Sequence, residues 1–161
     1  MDNRNYNATC WSRFVVLSYG YYDEKQGYIS NKEDSFDPEE ITDILKTNPK
    51  FSCKYGEHIK DSKDTNRTYC FSAWFSKNVY DPPIDRDDHC NKIIQLLAPY
   101  EYELLEYKKT HKVFYEIEIC IYESGNDMLI NSDIINFCHR LGIEIRINTV
   151  LLNYNPESLF E

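Results

Sequence analysis

The sequence predicts an α+β fold, with a largely antiparallel sheet of about five strands and about three helices packed on it. Stretches in which apolar and polar residues alternate with a period of two are separated by stretches with helical spacing. These elements come in mixed order rather than as repeated strand–helix units, which favours α+β over a parallel sheet. The chain has 161 residues, 42% of them hydrophobic, and so suits one core. We therefore expect a single domain, residues 1–161, with its core at about 11–154.

The first half of the chain predicts three strands around one helix. Trp11–Tyr19 is rich in aromatic and branched residues and is followed by a glycine, which is typical of a strand. The polar, tyrosine-rich stretch 21–35 predicts a connection. A weaker strand is expected within 50–59. A stronger one is expected within 68–77, where the side chains alternate between two sheet faces.

The stretch SFDPEEITDILK, residues 35–46, carries four carboxylates and could serve either catalysis or helix capping. Asp37 is a good N-cap residue, and Pro38 fits the first helical turn. Glu40 stands three residues after the cap, where its side chain can reach back to the Asp37 amide. The pattern favours a short helix whose acidic residues cap its N-terminus and interact favourably with the helix dipole.

Prolines mark the borders of the next region. The pair Pro82-Pro83 predicts a loop over 78–85, because proline fits neither a helix interior nor a central strand. Asp87 or Asp88 can then cap a second helix, which a later proline divides from a helical pattern at 100–109. We expect a bent or paired helix.

The last part of the chain predicts the clearest strand, a third helix and a closing strand. Residues 112–122 alternate apolar and charged side chains, and 143–152 form the final strand. Between them Ser132 can cap a helix that Gly142 ends in the left-handed conformation. If the two strands are neighbours, the charged residues that face each other are Glu116 and Glu118 on one and Glu144 and Arg146 on the other.

Charge and cysteine content narrow the class of partner. The 27 acidic and 18 basic residues give a net charge of -9, which repels phosphate backbones and anionic lipids. The first apolar run, Phe14–Leu17, is too short for a signal peptide or a membrane span. The six cysteines form no Cys-x-x-Cys pair and indicate thiols in a reducing compartment. We expect a cytoplasmic protein whose partner is a basic protein, with no nucleic acid and no membrane.

The acidic run DPPIDRDDHC, residues 81–90, is the most suggestive chemical cluster. Asp85, Asp88 and His89 could hold a divalent metal and activate water, as in a metal-dependent hydrolase. Neighbouring loop residues point in different directions, however, and no zinc motif accompanies them. Phosphate loops and nucleophile elbows are absent from the sequence. We therefore expect no enzyme, no catalytic residues, no metal and no cofactor, and keep the hydrolase as an alternative.

Fourteen tyrosines and the acidic excess together favour a binding surface. Tyrosine gives large contact area at low entropic cost, and acids around it speed the capture of a basic partner. An AT-rich coding sequence would also enrich tyrosine, and both explanations stay open. The candidate partner-binding residues are Tyr21, Tyr22, Tyr28, Glu33, Asp34, Asp81, Asp85, Asp87 and Asp88.

Several motifs together resemble one bacterial family. They are FDPEEITDIL at 36–45, Pro49, the turn Lys54–Glu57, Trp74 in a following strand, and the pair Leu141-Gly142. In this combination the chain resembles the family catalogued as domain of unknown function number four-two-seven-nine, although Tyr55 interrupts the Lys-Gly pair of its turn.

Similar small proteins occur beside bacterial toxins as immunity partners. The resemblance thus implies no catalytic residues and favours an immunity protein that neutralises a toxin, for example a nuclease. A non-catalytic ligand-binding scaffold is the other alternative.

Overall fold

The computed structural model describes residues 10–60, 62–64, 66–80, 88–122 and 130–150. Within them the chain is α+β, as the sequence predicts. In chain order the elements are β1 (Cys10–Ser18), β2 (Gly20–Asp23), β3 (Gly27–Ser30), α1 (Pro38–Leu45), β4 (Phe51–Cys53), β5 (Ala73–Phe75), β6 (Val79–Tyr80), α2 (Asp88–Leu97), α3 (Glu101–Thr110), β7 (Val113–Tyr122), α4 (Ser132–Leu141) and β8 (Ile143–Val150).

A six-stranded sheet forms the centre of the molecule. Its order is β4-β5-β1-β7-β8, and β6 pairs with the start of β1. The pairs of β1 with β5, β6 and β7 are antiparallel, as is the pair of β4 with β5. Only β7 and β8, among these described pairs, run parallel, and α4 forms the crossover that a parallel pair requires. The predicted sheet is therefore confirmed in outline, with one parallel pair.

The α-helices pack on one face of this sheet. The alternation predicted for the β7 region is confirmed, since its apolar residues lie in the core. The strands contribute Phe14, Val16, Trp74, Val113, Tyr115, Ile117 and Ile119, and the helices contribute Ile41, Leu45, Ile93, Leu97, Leu104, Ile134, Phe137 and Leu141. These helices have eight or ten residues each, and none in the described ranges has the length and apolar character needed to cross a membrane.

Helix α1 begins where its acidic sequence predicts. The Oδ1 atom of Asp37 accepts a hydrogen bond from the Glu39 amide at 3.2 Å, and Pro38 is the first helical residue. The expectation for Glu40 needs correction. Its carboxylate accepts from the Tyr107 hydroxyl at 2.7 Å instead of serving the cap. A mostly buried phenol needs an acceptor, and Glu40 supplies it across 67 residues of sequence.

Two stretches expected to lack regular structure contain strands. The tyrosine-rich connection 21–35 holds the hairpin formed by β2 and β3, whose turn is closed by hydrogen bonds from the Lys25 and Gln26 amides to Asp23. Such aspartate-centred turns have a recognisable signal, which the expectation overlooked. The break predicted at 78–85 likewise contains β6, because its first residues still pair with β1.

The helix α4 and the two middle strands also differ from their predicted bounds. The cap of α4 is Asn131 rather than Ser132, because the Asn131 side chain reaches the Ile134 amide at 3.0 Å and both residue types make good caps. Its end at Gly142, with φ of 58°, is confirmed. The strands expected within 50–59 and 68–77 shrink to three residues each, since the chain leaves the sheet for turns.

Three buried serines join five segments at one end of the sheet. The Ser18 hydroxyl donates to Ser30 Oγ at 2.9 Å and accepts from the Ser72 amide at 2.9 Å. In turn, Ser72 Oγ accepts from the amides of Phe36 at 3.3 Å and Tyr55 at 3.1 Å. We call Ser18, Ser30 and Ser72 the serine node. It holds together the ends of β1 and β3, the entry to α1, the turn after β4 and the start of β5.

Replacing Ser72 with alanine tests the serine node. The substitution leaves the amides of Phe36 and Tyr55 without the acceptor that they use, so we expect the free energy of unfolding to fall by about 2 to 4 kcal/mol. Urea denaturation measures the change. Ser52→Ala, at an exposed serine, is the matched control and should have little effect. If Ser72→Ala and Ser52→Ala have the same free energy of unfolding, the hydrogen bonds of the serine node do not stabilise the fold.

Candidate partner-binding surface

The hairpin leaves the sheet directly after β1. Its register pairs Tyr21 with Ile29 and Tyr22 with Tyr28. Successive residues of a strand point to opposite faces, so Tyr21 and Tyr22 project from the two sides of the hairpin. The serine node secures its base through Ser30, whose amide also donates to the Cys70 carbonyl at 2.9 Å. The hairpin is thus anchored at the base and open at the tip.

Close packing at this base depends on Gly20 and Tyr28. A Cβ atom on Gly20 would lie 2.2 Å from the carbonyl oxygen of Ile29, so this position has no room for a larger residue. The Tyr28 hydroxyl donates to the Ser18 carbonyl at 2.7 Å, and its ring meets Phe71 edge-on at 5.8 Å. Burial raises the pKa of Tyr28 to about 12, so the phenol remains a donor at neutral pH. The predicted binding residue Tyr28 is therefore engaged within the fold.

Three exposed tyrosines follow β1, namely Tyr19, Tyr21 and Tyr22, and we call them the tyrosine surface. Their exposed fractions are 43%, 60% and 77%. Tyr19 was missed at the sequence level because it appeared to end a strand. Its ring stacks on Phe114 at 4.0 Å with a 20° tilt, which fixes its orientation. The segment that follows β1 thus exposes two of the predicted residues and one additional tyrosine.

The predicted acids Glu33 and Asp34 lie in a short 3₁₀ turn, Lys32–Asp34, that follows the hairpin. Glu33 is exposed. The carboxylate of Asp34 lies 3.0 Å from the Lys112 ammonium and also accepts from the Asn31 side chain. The Lys112 ammonium holds the pKa of Asp34 below its usual value. Of the two predicted acids, Glu33 therefore presents its charge outward while that of Asp34 is largely neutralised.

The acidic loop cannot be placed beside the tyrosines. Asp81, Asp85 and Asp87 lie outside the described residues, and so do the side chains of Asp88 and His89. Across the part of the chain that the structure describes, no group of three His, Cys, Asp or Glu side chains is arranged to hold a metal ion. The metal-dependent hydrolase remains a prediction from sequence alone.

An open cleft of about 550 Å³ lies between the start of α1 and the residues after β4. Its walls carry mixed charges, and Lys54 Nζ bridges them with a 2.6 Å contact to Asp37 Oδ2. Gly56 has φ of 78°, and the Glu57 amide donates to the Lys54 carbonyl at 3.0 Å, as in a type II turn. This turn therefore aims Lys54 at the helix cap.

Four of the residues that carry the family resemblance contact one another in two pairs. Asp37 and Lys54 form the ion pair across the cleft. Trp74 is fully buried, and its indole N–H donates to Thr42 Oγ1 at 3.0 Å. These contacts join α1 to the turn after β4 and to β5. These motif positions therefore serve contacts between elements of the fold.

A charged strip occupies the sheet face opposite the helices. The predicted neighbours are confirmed, since the register pairs Glu116 with Glu144 and Glu118 with Arg146. Arg146 lies 3.0 Å from the Glu116 carboxylate, and Arg13 Nε donates to Glu118 at 2.6 Å. Burial raises the pKa of Glu116, and Arg146 opposes that shift. This strip pairs its charges across three strands and so helps to set the register.

Neutralising Asp37 tests the cap and its ion pair. Lys54 and the Glu39 amide hold the pKa of Asp37 below its ordinary value of 3.8, so its stabilising effect is present above that value and is lost as the pH falls through the folded-state pKa. Asn caps helices as well, so Asp37→Asn removes mainly the charge.

We therefore expect Asp37→Asn to lower the free energy of unfolding by up to about 1 kcal/mol at pH 7. The difference from the original protein should shrink as the pH falls below 3.8. Urea denaturation from pH 2 to 7 measures it. Asp43→Asn, at an exposed position of the same helix, is the control. A difference that persists unchanged at pH 2 would contradict the assignment.

The comparison with known proteins agrees with the motifs. The family model described as Domain of unknown function (DUF4279) matches residues 26–152. No curated protein and no solved structure matches the chain significantly. The tyrosine surface lies just before the matched residues, whereas the contacts between Asp37 and Lys54 and between Thr42 and Trp74 lie within them. Because the match covers most of its length, the chain belongs to the DUF4279 family.

Proposed function

We propose that this chain is a non-catalytic protein-binding domain whose partner docks on the tyrosine surface. The observation that carries the proposal is the exposure of Tyr21 and Tyr22, at 60% and 77%, on a hairpin whose base is anchored by buried hydrogen bonds. A tyrosine side chain loses little conformational entropy on binding and offers both an apolar ring and a polar hydroxyl. An anchored hairpin also reduces the cost of ordering the backbone.

The charge of the chain supports a basic partner. At -9, its field attracts cations over roughly the Debye length and repels nucleic acid and anionic lipid. Exposed acids in the described residues near the hairpin and on α1 include Glu33, Glu39 and Asp43. Long-range attraction of this kind raises the association rate more than the final affinity.

The most concrete form of the proposal is a cytoplasmic immunity protein that neutralises a bacterial toxin domain, for example a nuclease. A nuclease binds phosphate through basic groups, so an acidic and aromatic surface complements its active site. Asp37, Lys54, Thr42 and Trp74 are engaged in contacts within the fold, whereas Tyr21 and Tyr22 are exposed and so available to a partner. The proposal assigns no catalytic residue and no cofactor.

A small-molecule-binding scaffold is the second candidate, and the cleft beside Lys54 favours it. Its volume of about 550 Å³ is within the range of ligand pockets. Its mouth is open and its walls are polar, however, whereas ligand pockets are commonly enclosed and apolar. The protein-binding proposal therefore has the stronger support.

Alanine substitution of the two outermost tyrosines tests the docking site. The partner is the toxin domain encoded next to this chain, and calorimetry measures the affinity. We expect Tyr21→Ala and Tyr22→Ala together to weaken binding by about 100-fold or more, because buried tyrosines are frequent hot spots. Tyr102→Ala, at a tyrosine on α3 that is 71% exposed, is the matched control and should bind normally. Equal affinity of both variants would remove the tyrosine surface as the docking site.

Salt dependence tests the charge argument separately. If the acidic field steers a basic partner, the association rate should fall by about 10-fold or more between 50 mM and 500 mM salt, while the dissociation rate changes little. Stopped-flow fluorescence measures both rates. An association rate that does not respond to salt would contradict a basic partner. Failure to form any complex at low salt would count against the immunity role itself.

A further inference from the structure

The strand β8 forms one edge of the central sheet. It spans eight residues, and in the described part of the chain its inner side pairs with β7 while its outer side has no strand. Ile147 is 48% exposed there, and Glu144 and Arg146 are exposed beside it. A long edge strand that carries an exposed apolar residue is a template for another strand. The other edge strand, β4, has only three residues.

The sequence of β8 is complementary to itself. In an antiparallel pair centred on Ile145, Glu144 lies opposite Arg146 of a second copy, and Ile143 lies opposite Ile147. Two-fold symmetry makes each of these contacts twice. Shifting the centre by one residue places two glutamates or two arginines opposite each other, which disfavours the neighbouring registers. Charge complementarity therefore selects one register and one occupant, a second copy of this chain.

The helix that packs on β8 carries a second exposed apolar residue. On α4, Arg140 makes two hydrogen bonds to Glu101 of α3, at 2.7 and 3.0 Å. Ile135 is 52% exposed, and at about 100° per residue it lies on the flank of α4 opposite Arg140. That flank faces away from α3, so Ile135 is an exposed apolar side chain on a helix that packs on β8.

We propose that the chain forms a homodimer in which two β8 strands pair antiparallel about Ile145 and join the two sheets into one. The pairing satisfies the outward backbone groups of β8, covers Ile147 and sets two pairs of opposite charges. The tyrosine surface follows β1, which β7 separates from β8 in the sheet. The dimer does not depend on the docking proposed above.

A charge-exchange experiment tests the dimer. Sedimentation velocity should give the mass of two chains for the original protein. Glu144→Arg and Arg146→Glu each set like charges opposite each other twice, so each should raise the dissociation constant by about 30-fold or more. An equimolar mixture of the two variants restores opposite charges and should recover a heterodimer. Glu103→Arg, at an exposed residue of α3, is the control and should remain dimeric.

Two further measurements allow for damage to the fold, since Arg146 also pairs with Glu116. Circular dichroism checks each variant, and Ile147→Asp disrupts the same edge while leaving that ion pair in place. In the original protein, the β8 amides should exchange hydrogen more slowly at high concentration than after dilution. The proposal is overturned if the original protein sediments as a monomer up to about 1 mM, if folded Ile147→Asp dimerises normally, or if β8 is equally protected at all concentrations.

Discussion

The buried hydroxyl groups of the serine node are the constraint on which the positions of the surrounding segments depend. A buried polar group without a partner costs about 1 to 3 kcal/mol, so each hydroxyl requires its neighbours to stay where they are. Ser18, at the end of β1, is hydrogen-bonded to Ser30 of the hairpin and to the Ser72 amide. The Ser72 hydroxyl accepts hydrogen bonds from one amide at the entry to α1 and from one in the turn after β4. The node couples these segments, and through them it holds the tyrosine surface against the sheet.

The family segments and the tyrosine surface have different roles in this arrangement. Asp37 and Lys54, like Thr42 and Trp74, are contacts between elements of the fold, and all four lie within the segment that the family model matches. The exposed tyrosines lie before that segment. Binding domains commonly carry their recognition residues on exposed segments that a rigid scaffold positions. This division is the basis of our proposal that the chain is a recognition domain.

Local signals predicted much of the fold. The β7 alternation, the Asp37 cap and the Gly142 stop each depend on residues close in sequence, and so each was recognisable. Contacts between residues far apart in sequence could not be recognised in this way. The Glu40 carboxylate accepts a hydrogen bond from Tyr107, and the parallel pairing of β8 depends on how α4 packs. For the candidate site, tyrosine richness drew attention to the stretch that forms the hairpin, but only the fold shows that Tyr28 is an anchor and that Lys112 forms an ion pair with Asp34.

Hydrogen exchange of the free protein tests the central claim most directly, namely that the serine node holds the hairpin rigidly on the sheet. The Ser30 amide, bonded to Cys70, and the Ser72 amide, bonded to Ser18, report on it. If the claim holds, both exchange only with global unfolding, at rates that match the core amides of β7. If instead the Ser30 amide exchanges at close to the rate of an unstructured peptide while β7 stays protected, the hairpin opens independently and the account is wrong.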